Sequence, residues 1–260
     1  MDRSLAAAMT EAAYDRIGVG YRQVRRPDPR IAARIEAALG DARTVLNVGA
    51  GTGSYEPSNR EVTAVEPSAV MIGQRPPGAA PVVQARAEEL PFGDDSFDAA
   101  MAIITVHHWD DAAAGLAEMR RVARDRVVVL TFDAPVIAKM WLARDYVPRL
   151  EELHAEWVQP LGDVVAALPG ATVEPVPIPR ECTDAFWCAL WDRPELHLDP
   201  ELRRGSSGWQ AMDAAEVAEA ERGIERLRAD LESGAWDERY GHLRETAELD
   251  VGLRLVVSSA

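Results

Sequence analysis

The chain has 260 residues, 47% of them apolar, enough to bury one substantial core or a core with a modest cap but cramped for two independent domains. Acidic side chains outnumber basic ones 43 to 28, a formal charge of −15, and such a surface repels the phosphate backbone on which nonspecific nucleic-acid affinity rests. With only Cys182 and Cys188, no apolar run approaching roughly 20 residues, and Asp2 and Glu11 in the opening stretch, nothing calls for a disulfide scaffold, a membrane span or a leader peptide. A cytoplasmic protein that engages neither nucleic acid nor membrane is expected.

In chain order, Ser4 is placed to cap a helix that turns Leu5, Met9, Ala12 and Ala13 inward. A second helix starts at Asp28-Pro29 and stops at Gly40, by cap, first-turn proline and terminal glycine signals. Residues 1–40 thus form a helical arm, and its basic cluster Arg22, Arg25, Arg26 and Arg30 reads as a solvated face. Five short β-rich runs follow at 44–48, 61–65, 80–84, 96–104 and 126–132, without the strict alternation of a half-exposed sheet. Between the last two, residues 110–124 form a helix with Asp110 and Asp111 at its start, Arg120, Arg121 and Arg124 near its end, and Leu116, Met119 and Ala123 on the sheet side. Runs at 172–178 and 252–258 add two strands, the first proline-rich and therefore near an edge. The expected fold is α/β, a Rossmann-like, mostly parallel seven-stranded sheet with helices on both faces. One elaborated domain is expected, its core at 41–178 and 251–260, with a helical cap at 179–250 inserted late in the sheet and 133–170 as a further decoration.

The densest signal is VLNVGAGTG, where Gly49, Gly51 and Gly53 follow an apolar strand, so the backbone can turn tightly and approach a ligand with no Cβ in the way. The second strand ends in Glu66, placed to accept the two ribose hydroxyls of an adenosine. A turn containing Ala87 and Glu88 before the fourth strand offers a place for an adenine ring. The alternative, a plain loop and a surface acid, leaves the joint occurrence of glycines and acid in a strand-turn-strand context unexplained.

Together VLNVGAGTG, AVEPSAVMI, ARAEELPFGDDSFDAAM and HHWDD resemble the class I S-adenosylmethionine-dependent methyltransferases, in particular the type 11 group that includes the ubiquinone and menaquinone biosynthesis enzymes, over residues 14–132. The resemblance implies S-adenosylmethionine as cofactor, with Gly49, Ala50 and Gly51 along its methionine part, Glu66 on the ribose, Pro67 and Met71 beside the adenosine, and Ala87 and Glu88 at adenine. Ile104 and Thr105 would close on the sulfonium side. The stretch YRQVRRP is similar to an arm motif of the family, which would bring Tyr14 and Tyr21 over the cofactor and Arg26 near its carboxylate; an ordinary role in a helical arm is the alternative. Two departures stand out: Asn47 occupies a position where the family carries an acid, and SYEPSNR leaves no room for the helix that usually follows the glycine turn, so one irregular turn is expected there.

His107 and His108, just past the fourth strand, are the candidates for a catalytic base, and packing beneath the cofactor, with Trp109 over adenine, is the competing role. His154, His197 and His242 are isolated in sequence and no metal site is expected. Trp141, Trp157, Trp187, Trp191 and Trp209 fall in the segments assigned to substrate coverage, which suits an apolar or aromatic small-molecule acceptor, while the acidic balance favours a neutral or cationic one. Methyl transfer to such an acceptor by in-line displacement is the leading expectation. A protein that binds S-adenosylmethionine without transferring methyl is the alternative, and a nicotinamide-dependent oxidoreductase is disfavoured because the glycine spacing is not G-x-G-x-x-G.

Overall fold

The computed structural model describes residues 25–259, so the first arm helix expected around Ser4 lies outside the described residues. Helix α1 (Pro29–Ala38) starts as its sequence dictates, with Asp28 as N-cap accepting from Arg30 N and proline in the first turn. Its last carbonyls would be orphaned in the fold, and arginines from elsewhere meet them. Arg126 donates to Ala38 O at 2.6 Å, and Arg60 donates to Gly40 O at 2.7 Å.

The sheet is built from β1 (Thr44–Val48), β2 (Glu61–Val65), β3 (Val82–Val83), β4 (Phe97–Ile103), β5 (Ala123–Phe132), β6 (Thr172–Pro175) and β9 (Leu253–Ser259). A separate two-residue pair, β7 (Ile178–Pro179) with β8 (Glu248–Leu249), lies outside it. Strand order is β3-β2-β1-β4-β5-β9-β6, with β1 to β5 parallel and β9 antiparallel to both of its neighbours. This is the mostly parallel seven-stranded sheet expected. β3 is two residues long instead of five because it is an edge strand entered through Pro81, which has no N–H to give and contributes only its carbonyl to Ala64 N at 2.8 Å. β5 begins three residues earlier than the apolar run, since Ala123 already pairs with Phe97 before a register irregularity ahead of Ala99.

Helix α2 (Ala69–Gly73) follows β2, and helix α3 (Ala112–Val122) links β4 to β5 with Asp111 as its cap, accepting from Ala114 N. The glycine-turn segment before β2 contains no helix, as the crowded SYEPSNR stretch predicts. After β5 the chain runs through α4 (Ala134–Ile137), a π turn (Leu142–Tyr146), α5 (Arg149–Trp157) and α6 (Leu161–Ala167). The stretch 133–170, read from sequence as one decoration, divides. Val164 and Leu168 pack with α3 residues Leu116, Met119 and Val122 on one sheet face. Leu142, Tyr146, Leu150 and Leu153 join α1 and the late insertion on the other.

Between β7 and β8 lie α7 (Pro200–Arg204), α8 (Ser207–Gln210), α9 (Ala214–Ser233) and α10 (Ala235–Tyr240). α9 is the long element of this insertion, and its start carries a full capping box, Asp213 with Glu216, while Gly234 at φ +82° ends it. Gly223 on α9 lets the helix sit directly on the π turn, because a Cβ there would lie 1.9 Å from Tyr146 O. Trp141 and Trp191 are core groups: Trp141 Nε1 donates to Trp191 O at 3.0 Å and Trp191 Nε1 donates to Ile178 O at 3.2 Å. Among the described residues no helix is long and apolar enough to cross a membrane.

Burial holds His107, His108, His154 and His197 below the ordinary imidazole value of 6.5 in the folded chain. In the unfolded chain they take up protons as pH drops through that value, so their neutral burial contributes stability at neutral pH that is lost on acidification. Glu66, raised by its burial, works in the opposite direction but is one group against four. Melting temperature should therefore fall between about pH 6.5 and about pH 4, ahead of general carboxylate protonation. Scanning calorimetry across that range checks this, and a flat melting temperature down to about pH 5 would contradict it.

Candidate functional site

At the carboxyl ends of β1, β2 and β4 the sheet opens a cleft where strand order reverses, the place at which open α/β sheets bind ligands. Gly49 and Ala50 leave β1 by donating both their amides to Val65 O, each at 2.9 Å, which folds the glycine loop back across the end of β2. Gly49, at φ +69°, has to be glycine, because a Cβ would sit 2.2 Å from Thr105 Oγ1 on the loop after β4. Gly51, at φ +53°, turns its Cα toward open space instead, with only Met71 Cε within reach of an added Cβ, at 3.4 Å.

Glu66 is buried at the end of β2 with its carboxylate spread between two backbone donors, Gly51 N to Oε2 at 2.8 Å and Ser68 N to Oε1 at 2.9 Å. Burial raises its pKa, and the two amides oppose that rise. Across the cleft, Trp109 packs closely against helix α3 because Gly115 leaves the space. A Cβ at Gly115 would be 2.5 Å from the indole and 3.2 Å from Ala87 Cβ. Glu88 accepts from Asp111 N at 3.1 Å, which ties the turn before β4 to the start of α3, and Arg86 pairs with Asp110 at the mouth.

Of the residues singled out in the sequence, Gly49, Ala50, Gly51, Glu66, Pro67, Met71, Ala87, Glu88, Ile104, Thr105 and His108 line this one cavity. Tyr14 and Tyr21 fall outside the described residues. Arg26 is exposed and absent from the wall; the preceding residue, Arg25, takes that position. The arm is extended there, so successive side chains point to opposite sides and a shift of one residue exchanges solvent for cleft.

Arg25 and Tyr55 were not anticipated, and they share a partner far along the chain. Asp184 is buried and accepts from Arg25 Nε at 2.5 Å and from Tyr55 Oη at 2.9 Å. Nearby, Asp28 accepts from Thr183 N at 3.1 Å and pairs with Arg30, which together hold its carboxyl well below the usual range. Arm, glycine loop and late insertion therefore meet in one buried polar cluster, joined across 129 and 159 residues of sequence. No local pattern signals such a contact.

The Asn47 departure also has an answer. Asn47 Nδ2 donates to Glu56 Oε1 at 3.1 Å, and Glu56 is gripped by Arg75 Nη2 at 2.7 and 2.8 Å. Arg75 also donates to Gly51 O at 3.2 Å and to Ala80 O at 3.2 Å, so this ion pair braces the glycine loop in place of the missing helix. A carboxylate is present behind the loop, delivered from the loop itself.

A second, smaller cavity adjoins the first through Arg25, Ile104 and His108. Phe132, Trp157, Phe186 and Trp187 supply aromatic walls, and His107, His108 and His154 face it together. Read as isolated in sequence, His154 is thus part of a histidine group. Trp157 and Trp187 reach this cavity, whereas Trp141, Trp191 and Trp209 do not. The His107 and His108 rings lie with centroids 3.9 Å apart, tilted 49° to one another, and burial lowers both pKa values, His108 to about 3. His154 has both nitrogens committed: Nδ1 donates to Leu150 O at 2.7 Å, and Nε2 accepts from Trp187 Nε1 at 3.2 Å.

Residues 46–131 match the methyltransferase domain family. A structure from Anabaena variabilis, described as that of a candidate methyltransferase from an antibiotic biosynthesis pathway, is 32% identical and superposes with a TM-score of 0.83 over 92% of this chain and 100% of that one. The ubiquinone/menaquinone biosynthesis C-methyltransferase of Citrifermentans bemidjiense is 31% identical over 38% of this chain and 49% of its own length. An uncharacterized methyltransferase of Mycobacterium tuberculosis is 30% identical over 63% of this chain and 60% of its own. The chain spans about half the length of the first curated relatives it matches.

The Glu56 and Arg75 side chains are 10% and 5% exposed, so removing one partner strands a buried charge. Glu56→Ala should cost about 3 to 5 kcal/mol and free the glycine-loop amides to exchange. Denaturant unfolding and amide exchange check this. Full stability with unchanged exchange at Gly51 and Gly53 would show that the pair is no brace.

Proposed function

Because the chain belongs to the class I S-adenosylmethionine-dependent methyltransferase family, we propose that its larger cavity holds S-adenosylmethionine and that it methylates a small apolar or aromatic acceptor seated in the adjoining one. The observation that carries this reading is Glu66, a buried carboxylate with one backbone donor on each oxygen and room in the cleft beside it. Ionised, it keeps lone pairs for two ribose hydroxyls, and the amides that hold it fix their direction.

The rest of the cleft fits the same occupant. Trp109, Ala87 and Met71 give an adenine ring flat apolar surfaces, and Glu88 stands at its edge. The glycine loop from Gly49 to Gly51 would run along the methionine part, with Arg25 the cation nearest its carboxylate, the role that Arg26 was expected to play. Ile104 and Thr105 stand between the two cavities, where the donor's methyl end would meet the acceptor.

When bound, S-adenosylmethionine supplies an electrophilic methyl group on a sulfonium that is already a good leaving group. The protein then has little to activate and mainly aligns, and alignment of reactants is worth about 7 to 11 kcal/mol in favourable cases. Strands β1, β2 and β4 fix the donor side rigidly. The acceptor side is assembled from β5, α5 and the insertion at 179–250, which we read as the cap that excludes water and sets acceptor shape. Approach of the acceptor through the junction at Ile104 would suit in-line displacement. His107 and His108, on the acceptor side of this junction, are the groups able to take a proton, and burial keeps both neutral at physiological pH.

Calorimetric binding of S-adenosylhomocysteine tests the proposal. Glu66→Ala should weaken it by about 1.5 to 3 kcal/mol, roughly 10- to 100-fold, as expected for loss of hydrogen bonds to a charged group. Affinity of the unsubstituted protein should also decline on acidification at a higher pH than an ordinary glutamate would dictate, because the raised Glu66 carboxyl protonates earlier. A folded Glu66→Ala protein with unchanged affinity would remove the ribose assignment. Absence of binding by the unsubstituted protein would remove the function.

A further inference from the structure

The smaller cavity has a charge composition unlike the rest of the molecule. In a chain of formal charge −15, none of its described lining residues is a carboxylate. The one formal charge there is the Arg25 guanidinium, which lies over the Phe186 ring at 5.6 Å. Three imidazoles face the same space, all kept neutral by burial. Ser206 and Ser207 complete the polar side, and they too carry no charge.

A protonated amine would have to shed its water here with no carboxylate among the lining residues to meet it, since Asp184 behind the wall is already paired with Arg25. One of the four aromatic walls, Phe186, already carries the Arg25 guanidinium. A neutral hydroxyl on a flat ring meets none of these objections. The ring fits between aromatic walls, and the hydroxyl has histidine nitrogens to donate to.

The three histidines differ in what they can accept. His154 is locked as the Nδ1–H tautomer by its bonds to Leu150 O and Trp187 Nε1, so it has no lone pair left. The His107 imidazole makes no hydrogen bond with any described residue, and its Nδ1 is a buried polar atom lacking a partner there; His108 borders the larger cavity as well, which leaves His107 as the ring that faces the smaller one alone. Buried polar atoms are rarely left so, and a group that completes its bonding on binding is the ordinary reason.

Resting on the methyltransferase reading of the site, we propose that the acceptor is a neutral acid, a phenolic or enolic hydroxyl compound rather than an amine, and that His107 receives its proton. The O–H proton passes to the imidazole, an O–CH3 bond forms as the S–CH3 bond breaks, and the electron pair of the broken bond stays on sulfur to leave the neutral thioether. The imidazolium later releases its proton to water. Formal charge in the site is conserved through transfer, since the positive charge lost at sulfur reappears on the imidazole.

The test uses the protein saturated with S-adenosylhomocysteine and two probes of equal heavy-atom number, p-cresol and benzylamine. By calorimetry p-cresol should bind at least about tenfold more tightly at neutral pH. In protein with 15N-labelled histidine, the His107 ring nitrogens should shift on addition of p-cresol and not on addition of benzylamine. His107→Gln should keep S-adenosylhomocysteine affinity while losing at least about tenfold in p-cresol affinity. Equal or tighter binding of benzylamine, binding of neither probe, or p-cresol binding indifferent to His107→Gln each overturns the inference. Failure to bind S-adenosylhomocysteine would be the separate failure of the functional reading beneath it.

Discussion

One buried carboxylate, that of Asp184, holds together three parts of the chain that sequence keeps far apart. It is 1% exposed, and its desolvation is tolerable only because Arg25 and Tyr55 both donate to it. Arg25 carries the entry of the arm, Tyr55 the exit of the glycine loop, and Asp184 itself the start of the late insertion. Because Arg25 lines both cavities, the geometry of this cluster sets the wall between them. Any shift of the insertion relative to the sheet has to break a charge-assisted bond in a low-dielectric setting, so the two cavities keep a fixed relation.

The same region stores backbone strain. Tyr55 at φ +62° and Ile104 at φ +54° are non-glycine residues in the left-handed region, the second β-branched and so especially disfavoured there. Each is over-determined by tertiary contacts: Tyr55 by its bond to Asp184, Ile104 by its amide donating to Leu130 O at 2.8 Å. Both flank the junction of the cavities. Such conformations persist where position matters more than local comfort, and here they aim two loop exits at one point.

How much of this was legible in the sequence depends on the range of the interactions involved. The seven-stranded sheet, the start of α3 at its acidic pair, the curtailed glycine turn and the cluster of Gly49, Gly51, Glu66, Ala87 and Thr105 around one cleft all follow from contiguous patterns or short spacings. What was missed comes from contacts with no local signature. Arg25 and Arg26 differ only by register in an extended segment, where one residue decides between solvent and cleft. The Glu56–Arg75 pair that answers Asn47 spans 19 residues and belongs to no motif, although an unpaired glutamate in a loop beside an amide-for-acid exchange was a usable hint. Tryptophan number suggested an aromatic acceptor site, but only Trp157 and Trp187 reach the cavity; Trp141 and Trp191 close their indole N–H groups on backbone carbonyls, as core tryptophans do.

The short antiparallel pair of β7 with β8 sets Ile178 beside Leu249 and Pro179 beside Glu248, so the insertion leaves and rejoins the sheet at neighbouring points. A segment whose ends are already side by side can change length or content at small entropic cost, because closing a longer loop adds only about 0.6 kcal/mol per doubling. The donor cleft need not respond to such a change so long as the stretch that bears Asp184 keeps its bonds to Arg25 and Tyr55. This doorway makes acceptor choice separable from the rest of the molecule: beyond Asp184 the lid over the aromatic cavity can be exchanged while the glycine loop and Glu66 stay as they are.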